Sequence, residues 1–366
     1  MMAMDTYVYT MWGLLVLVLT SHASSSSSSN AIHSTSLNVS TSLNVIVHAR
    51  SPVASNKSIP VAAINIATTE DLGTGQSYKA NWEHGLLMAT IALEARATNV
   101  TKPKLILLPE AFATGYPQCC DLAKYAENRS TSQYLKAFKA LSAKHQVTII
   151  FGFLELVSIS KGVNYYDQPV QNAAIIYDNG EEIGVHYKTR AAGCNNASYP
   201  PPWCRPWRDE TRLLVAGDAI ETWHTSLGKF AVFTCSENMY PQHWSEKVGK
   251  VDFILSPFNC EERGVGTPSF PDVIMNKTRY PQPTCDNVNG NSQNSKSSGL
   301  PSMWANRAGS VYVGGDDPHY ITNLGTAGGT DTAGNVIAQT QHGVEEILFF
   351  NLPLASNHVD APEAKQ

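Results

Sequence analysis

Three near-continuous apolar runs restrict the architectures open to this chain. Leu105 to Leu108, Val147 to Leu156 and Val251 to Ser256 lack the regular polar alternation of a strand with one wet face. Strands of that kind lie in sheets covered on both sides. A further strand is read at Val61 to Ile66. Between these runs the period changes from strand to helix, at Trp82, Leu86, Ala89 and Leu93, and again at Tyr134, Phe138 and Leu141. Hairpins follow. Asn172 to Tyr177 turns at Asp178-Asn179-Gly180 into Glu182 to Tyr187, and Ile220 to Thr225 turns into Lys229 to Thr234. A last one, Gly329 to Gln341, turns at Ala333-Gly334-Asn335 and leads to the strand Glu346 to Leu352. Mixed βαβ units and hairpins predict an α/β sandwich of two sheets with helices outside. Residues 258–301, rich in Asn, Ser, Pro and Gly, read as a long surface loop.

The N-terminus reads as an address. Tyr7 to Thr20 is almost wholly apolar; a bilayer span needs roughly 20 such residues, so no stable membrane span is expected. The run suits a signal peptide of residues 1–23, cleaved after Ala23. From 24 to 58, fifteen of thirty-five residues are Ser or Thr, a composition that predicts a flexible stalk. The folded domain is expected over 59–356, and residues 357–366 as a disordered tail. Six N-x-S/T sequons, at Asn38, Asn56, Asn99, Asn128, Asn196 and Asn276, are glycosylation candidates if the chain is secreted.

Composition excludes several functions. Twenty-six basic against thirty-one acidic residues give −5 without a basic run, which argues against nucleic acid as a partner. The eleven His show no ligand spacing, so no metal is expected, and no phosphate loop or dinucleotide fingerprint points to a cofactor. Three strand ends do carry chemistry. Glu110 follows the Leu105 run, Lys188 ends a hairpin arm, and Cys235 follows Ala231 to Thr234. Singly, each is more often a solvated strand end or a small core residue. Together, a thiol, a carboxylate and an amine at strand ends make a nucleophile, its base and an oxyanion stabiliser.

In order and context these residues resemble the Glu-Lys-Cys site of the nitrilase superfamily of carbon–nitrogen hydrolases. Leu108-Pro109-Glu110-Ala111-Phe112 with Gly115-Tyr116-Pro117 resembles the family's P-E-x-F-x-x-G-Y block, and His186-Tyr187-Lys188 its H-x-K. Cys235-Ser236-Glu237-Asn238 with Pro241 is similar to C-W-E-N-x-x-P, Ser236 replacing the usual Trp. Glu210-Thr211 before Gly217 resembles the segment that carries a fourth family residue. The family's R-A-x-E-N stretch is not kept: Trp304-Ala305-Asn306-Arg307-Ala308-Gly309 stands there, nearer the secreted vanin and biotinidase branch. The sub-branch stays open.

The resemblance implies a four-layer α-β-β-α sandwich, a homodimer and no cofactor. It implies that Glu110 is the base, Cys235 the nucleophile, Lys188 and the Ser236 N–H the oxyanion donors, and Glu210 a fourth catalytic residue. Tyr116, Ser236 and Glu237 are candidates for substrate contact; Glu237 and the strand residue Glu155 are also rivals for the carboxylate roles. The expected substrate is a small amide, with a nitrile as the alternative, and an inactive secreted binding protein as the reading from another class. Of seven cysteines, a reduced Cys235 leaves six for up to three disulfides in an oxidising compartment. Cys194–Cys204 and Cys260–Cys285 are the expected pairs.

Overall fold

The computed structural model describes residues 18–19, 33–39, 43–49, 57–67, 76–94, 101–114, 122–157, 169–190, 214–259, 261–263, 287–308, 310–313, 319–323, 326–341 and 343–355. The first half runs β1 (Val18–Leu19), β2 (His33–Val39), β3 (Leu43–Ala49), β4 (Ser58–Ala67), α1 (Gln76–Glu94), β5 (Leu105–Leu107), α2 (Gln133–His145), β6 (Thr148–Leu156), β7 (Val170–Asp178) and β8 (Glu181–Tyr187). The second half runs β9 (Trp223–Thr225), β10 (Gly228–Val232), α3 (Pro241–Lys247), β11 (Phe253–Pro257), β12 (Glu261–Arg263), α4 (Asn287–Ser298) and β13 (Ser302–Ala305). After it come β14 (Arg307–Ala308), β15 (Ser310–Val313), β16 (His319–Asn323), β17 (Gly328–Thr330), β18 (Val336–Gln339) and β19 (Glu346–Pro353).

Two sheets carry the fold. The larger is ordered β1-β2-β3-β19-β4-β5-β6-β7-β8, with β14 also on β4; the second is ordered β18-β17-β13-β11-β10-β9. A small sheet, β12-β16-β15, lies apart. Side-chain alternation sorts the core into layers. Ala62, Ile64, Ile106, Ile149 and Phe151 face α1 and α2, meeting Trp82, Ala89, Leu135 and Phe138. Val61, Ala63, Leu105, Leu107 and Ile150 face the second sheet, meeting Phe230, Val232, Phe253 and Leu255. On the far side of that sheet, Ala231, Phe233 and Ile254 pack on Trp244 of α3. The result is the four-layer α-β-β-α sandwich.

Three readings change. The segment expected as a flexible stalk carries β2 and β3, and β3 lies parallel to β19 with Ile46 opposite Glu346. The Ser/Thr count hid the run Val45-Ile46-Val47, whose β-branched side chains favour extended backbone. The loop expected over 258–301 contains β12 and α4. Helix α4 buries Asn291, Asn294 and Ser295 rather than an apolar stripe. Its Asn294 Nδ2 donates to the Asn238 carbonyl at 2.8 Å, and the Ser295 hydroxyl meets Thr330 Oγ1 at 2.7 Å, so no hydrophobic period marks it. Glu155, read only as a strand residue, is buried in β6, opposite Gln171 of β7 on one side and bridged to Glu127 on the other. Apart from β1, residues 1–23 lie outside the described residues, as do 357–366. Among the described residues no helix is long and apolar enough to cross a membrane, and no cluster of His, Cys, Asp or Glu has metal-site geometry.

Candidate active site

Glu110 follows β5 by three residues and is held by backbone on both sides. Its N–H donates to the Phe258 carbonyl at 3.2 Å, and the Gly152 N–H donates to the Pro109 carbonyl at 3.0 Å. A Cβ at Gly152 would sit 2.4 Å from the Glu110 Cα, so β6 approaches this turn as only glycine permits. Phe112, two residues on, anchors the turn in the aromatic cluster, its ring 5.0 Å from Trp82. Ala111 takes φ 43°, a left-handed conformation unusual for alanine. Such strain persists where the surroundings over-determine it, and it concentrates at functional sites.

The structure brings Lys188 directly to Glu110. The ammonium donates to Glu110 Oε1 at 2.9 Å, and both side chains are buried. Asn172 Nδ2 donates to the same oxygen at 2.7 Å. The Lys188 N–H also donates to the Asn172 carbonyl at 2.9 Å, which registers β8 against β7 at this level. The sequence reading missed Asn172. Its only signal was a polar residue at the start of an otherwise apolar hairpin strand.

Cys235 arrives from the other sheet. β10 ends at Val232, and a 3₁₀ turn, Cys235–Met239, begins at the thiol with φ 48°. Cys235 is half-buried against the cluster of Phe258 and Trp304 and is not part of a disulfide. Phe258 thus belongs to the apolar cluster under the cysteine while its carbonyl holds Glu110.

Glu237 ties the cysteine turn to the lysine strand. Its Oε1 accepts from the Thr189 N–H and hydroxyl, both at 2.7 Å. Its Oε2 meets His186 Nε2 and accepts from the Thr234 N–H, again at 2.7 Å each. This fully buried carboxylate, with its four hydrogen bonds, holds the cysteine turn against the lysine strand end. Burial alone would raise its carboxyl, but the His186 ring and the Thr189 donors bring it down to about 2. Ser236 donates its hydroxyl to the Arg190 carbonyl. Glu155, the other rival carboxylate, is occupied by Arg129 Nε at 3.0 Å and the Tyr187 hydroxyl at 2.8 Å.

Tyr116, Glu210, Cys194, Cys204, Cys260, Cys285, Asn56, Asn99, Asn196 and Asn276 lie outside the described residues. Asn38 lies in β2, opposite Asn44 of β3. Asn128 sits in a turn where its side-chain oxygen accepts from the Ser130 N–H and hydroxyl.

Residues 61–356 match the family model described as carbon-nitrogen hydrolase. A probable nitrilase of Schizosaccharomyces pombe is 25% identical over 138 residues, which are 38% of this chain and 43% of that protein; the match thus spans less than half of the relative. A carbon-nitrogen hydrolase from Helicobacter pylori G27 superposes with TM-score 0.59 at 20% identity, over 81% of this chain and 89% of that one. Nit3 of Saccharomyces cerevisiae, a member of branch 10 of the nitrilase superfamily, superposes with TM-score 0.59 at 17% identity, over 86% and 99%. A mutant amidase from Nesterenkonia sp. AN1 superposes with TM-score 0.56 at 14% identity, over 86% and 97%. In that amidase the acetamide moiety of fluoroacetamide is added covalently at the active-site cysteine.

Proposed function

The chain belongs to the carbon–nitrogen hydrolase family within the nitrilase superfamily and is a hydrolase of carbon–nitrogen bonds, and from that premise we propose that it is a secreted amidase working through a thioester at Cys235. The observation that carries this reading is the buried Glu110–Lys188 pair, 2.9 Å apart, at the strand ends that face the Cys235 turn. A thiol attacks only as thiolate, so Cys235 needs a base. Glu110 takes the proton. The sulfur adds to the amide carbonyl, and Lys188 with the Ser236 N–H stabilises the oxygen that gains charge, at ~3–4 kcal/mol per donor. As the tetrahedral adduct collapses, the carbon–nitrogen bond breaks and Glu110 returns its proton to the leaving amine. Glu110 then takes a proton from water, whose oxygen attacks the thioester; the carboxylic acid departs and the thiol re-forms. Glu210 is assigned to holding Lys188 or the substrate nitrogen. The acetamide adduct of the Nesterenkonia amidase is the precedent for a covalent route through cysteine. The apolar run Tyr7–Thr20 and the Ser-x-Ala that follows support secretion.

The test is release of ammonia and carboxylate from paired amides and nitriles with the same acyl group. The amide is expected to turn over, and Cys235→Ala to lower kcat at least ~10³-fold. Faster release from the nitrile would make the enzyme a nitrilase; full turnover by Cys235→Ala would remove the scheme.

A further inference from the structure

We propose that Arg190 recognises an anionic group on the substrate, so that the preferred amide carries a carboxylate distant from its scissile bond. This rests on the amide-hydrolase reading and names the substrate class for the same site.

Arg190 lies two residues beyond Lys188, and its carbonyl accepts the Ser236 hydroxyl. Its backbone is thereby pinned beside the residue that follows the nucleophile. The guanidinium carbon stands 5.4 Å from the centroid of the Tyr240 ring. Tyr240 caps the 3₁₀ turn that Cys235 begins. The cation thus rests on the residue that ends the turn the nucleophile begins.

Two neighbouring cations are neutralised. Lys188 is paired with Glu110, and Arg129 with Glu155 and Glu182. Among the described residues Arg190 pairs with no carboxylate; its contact is the Tyr240 ring. A cation–π contact holds a guanidinium in place without consuming its N–H donors, and that planar fork matches a carboxylate bidentately. Met239, the last residue of the 3₁₀ turn, is 62% exposed. An exposed methionine there offers an apolar surface to the methylenes that join the two ends of such a substrate. In a protein of net charge −5, an unneutralised cation beside the nucleophile selects for substrate charge.

The probes are adipic acid monoamide and hexanamide, which share chain length and differ in the terminal carboxylate. Two readouts are taken for wild type, Arg190→Gln and Arg190→Lys: kcat/KM from ammonia release, and Kd by calorimetry in the Cys235→Ala background. The expected result is about tenfold preference for the anionic amide. That ratio falls to about one in Arg190→Gln and is partly retained in Arg190→Lys. A ratio left unchanged by Arg190→Gln, or equal affinity for both probes in wild type, overturns the assignment. If the binding preference is present but wild type releases no ammonia, the anion site stands and the hydrolase mechanism falls.

Discussion

Glu237 carries more of the site's geometry than its place in the sequence suggests. It is two residues from the nucleophile, yet three of its four hydrogen bonds reach the β8 strand end that bears Lys188, through His186 and Thr189. The carboxylate fixes Cys235 and Lys188 relative to one another. Gln is the same size but turns an acceptor into a donor, which must then face either the Thr189 N–H and hydroxyl or the Thr234 N–H and the His186 ring. Glu237→Gln is therefore expected to lower kcat at least ~10-fold with a smaller change in KM, since orientation rather than binding is lost. Equal loss in both would mark a merely structural role. A second readout follows from linkage. The folded carboxyl titrates at about 2 against an ordinary 4.5, so its stabilisation is fully present above 4.5 and lost as pH falls toward 2. Within that window wild type should lose about 1.4 kcal/mol per pH unit more than Glu237→Gln. Urea unfolding between pH 4.5 and 3 measures it, and parallel slopes would refute it.

At the scale of elements, legibility in the sequence tracked periodicity. Glu110, Lys188 and Cys235 stood out because each follows an element whose apolar pattern is plain. Asn172 did not, because a polar residue within a strand has no signature until its cross-strand neighbours are known. Helix α4 did not, because its buried face is Asn and Ser, with Asn294 and Ser295 bonded to a carbonyl and to hydroxyls of other elements. The Glu237 clamp was not visible: the sequence offered substrate contact or a carboxylate role, and the clamp arises only because Thr189 and His186 converge from a strand end some fifty residues earlier. Gly152 belongs to the same scale. A methyl there would stand 2.4 Å from the Glu110 Cα and 2.6 Å from the Ala111 nitrogen, both backbone atoms. β6 and the Glu110 turn must then separate. Gly152→Ala is expected to cost ~1–3 kcal/mol of stability and, by shifting the base, to cut kcat at least ~10-fold. Retention of wild-type kcat at 20 °C would show that the close approach does not set the position of Glu110.

The whole molecule explains why so much core surrounds a small site. Glu110 and Lys188 end strands of one sheet and Cys235 ends a strand of the other, so the face-to-face packing of the sheets sets the distance between base and nucleophile. Strand β19, from the C-terminal end of the domain, is central to that packing. It pairs antiparallel with β4 from Glu346 opposite Asn65 to Pro353 opposite Ser58. Ile347 and Phe349 point into the helical layer, and Leu348, Phe350 and Leu352 into the layer between the sheets. The Phe350 ring lies so close to Gly329 of β17 that a Cβ there would be 2.4 Å from it. Here a large residue on one sheet fits an empty position on the other. Phe350→Ala removes that spacer and is expected to cost ~3–5 kcal/mol in urea unfolding. Because the spacing of the sheets is also the spacing of the site, kcat should fall several-fold well below the melting temperature, with Cys235 alkylation by iodoacetamide slowed in parallel. A variant that loses the stability but keeps both rates would show that the strand ends hold the site by local bonds alone, independent of the sandwich beneath them.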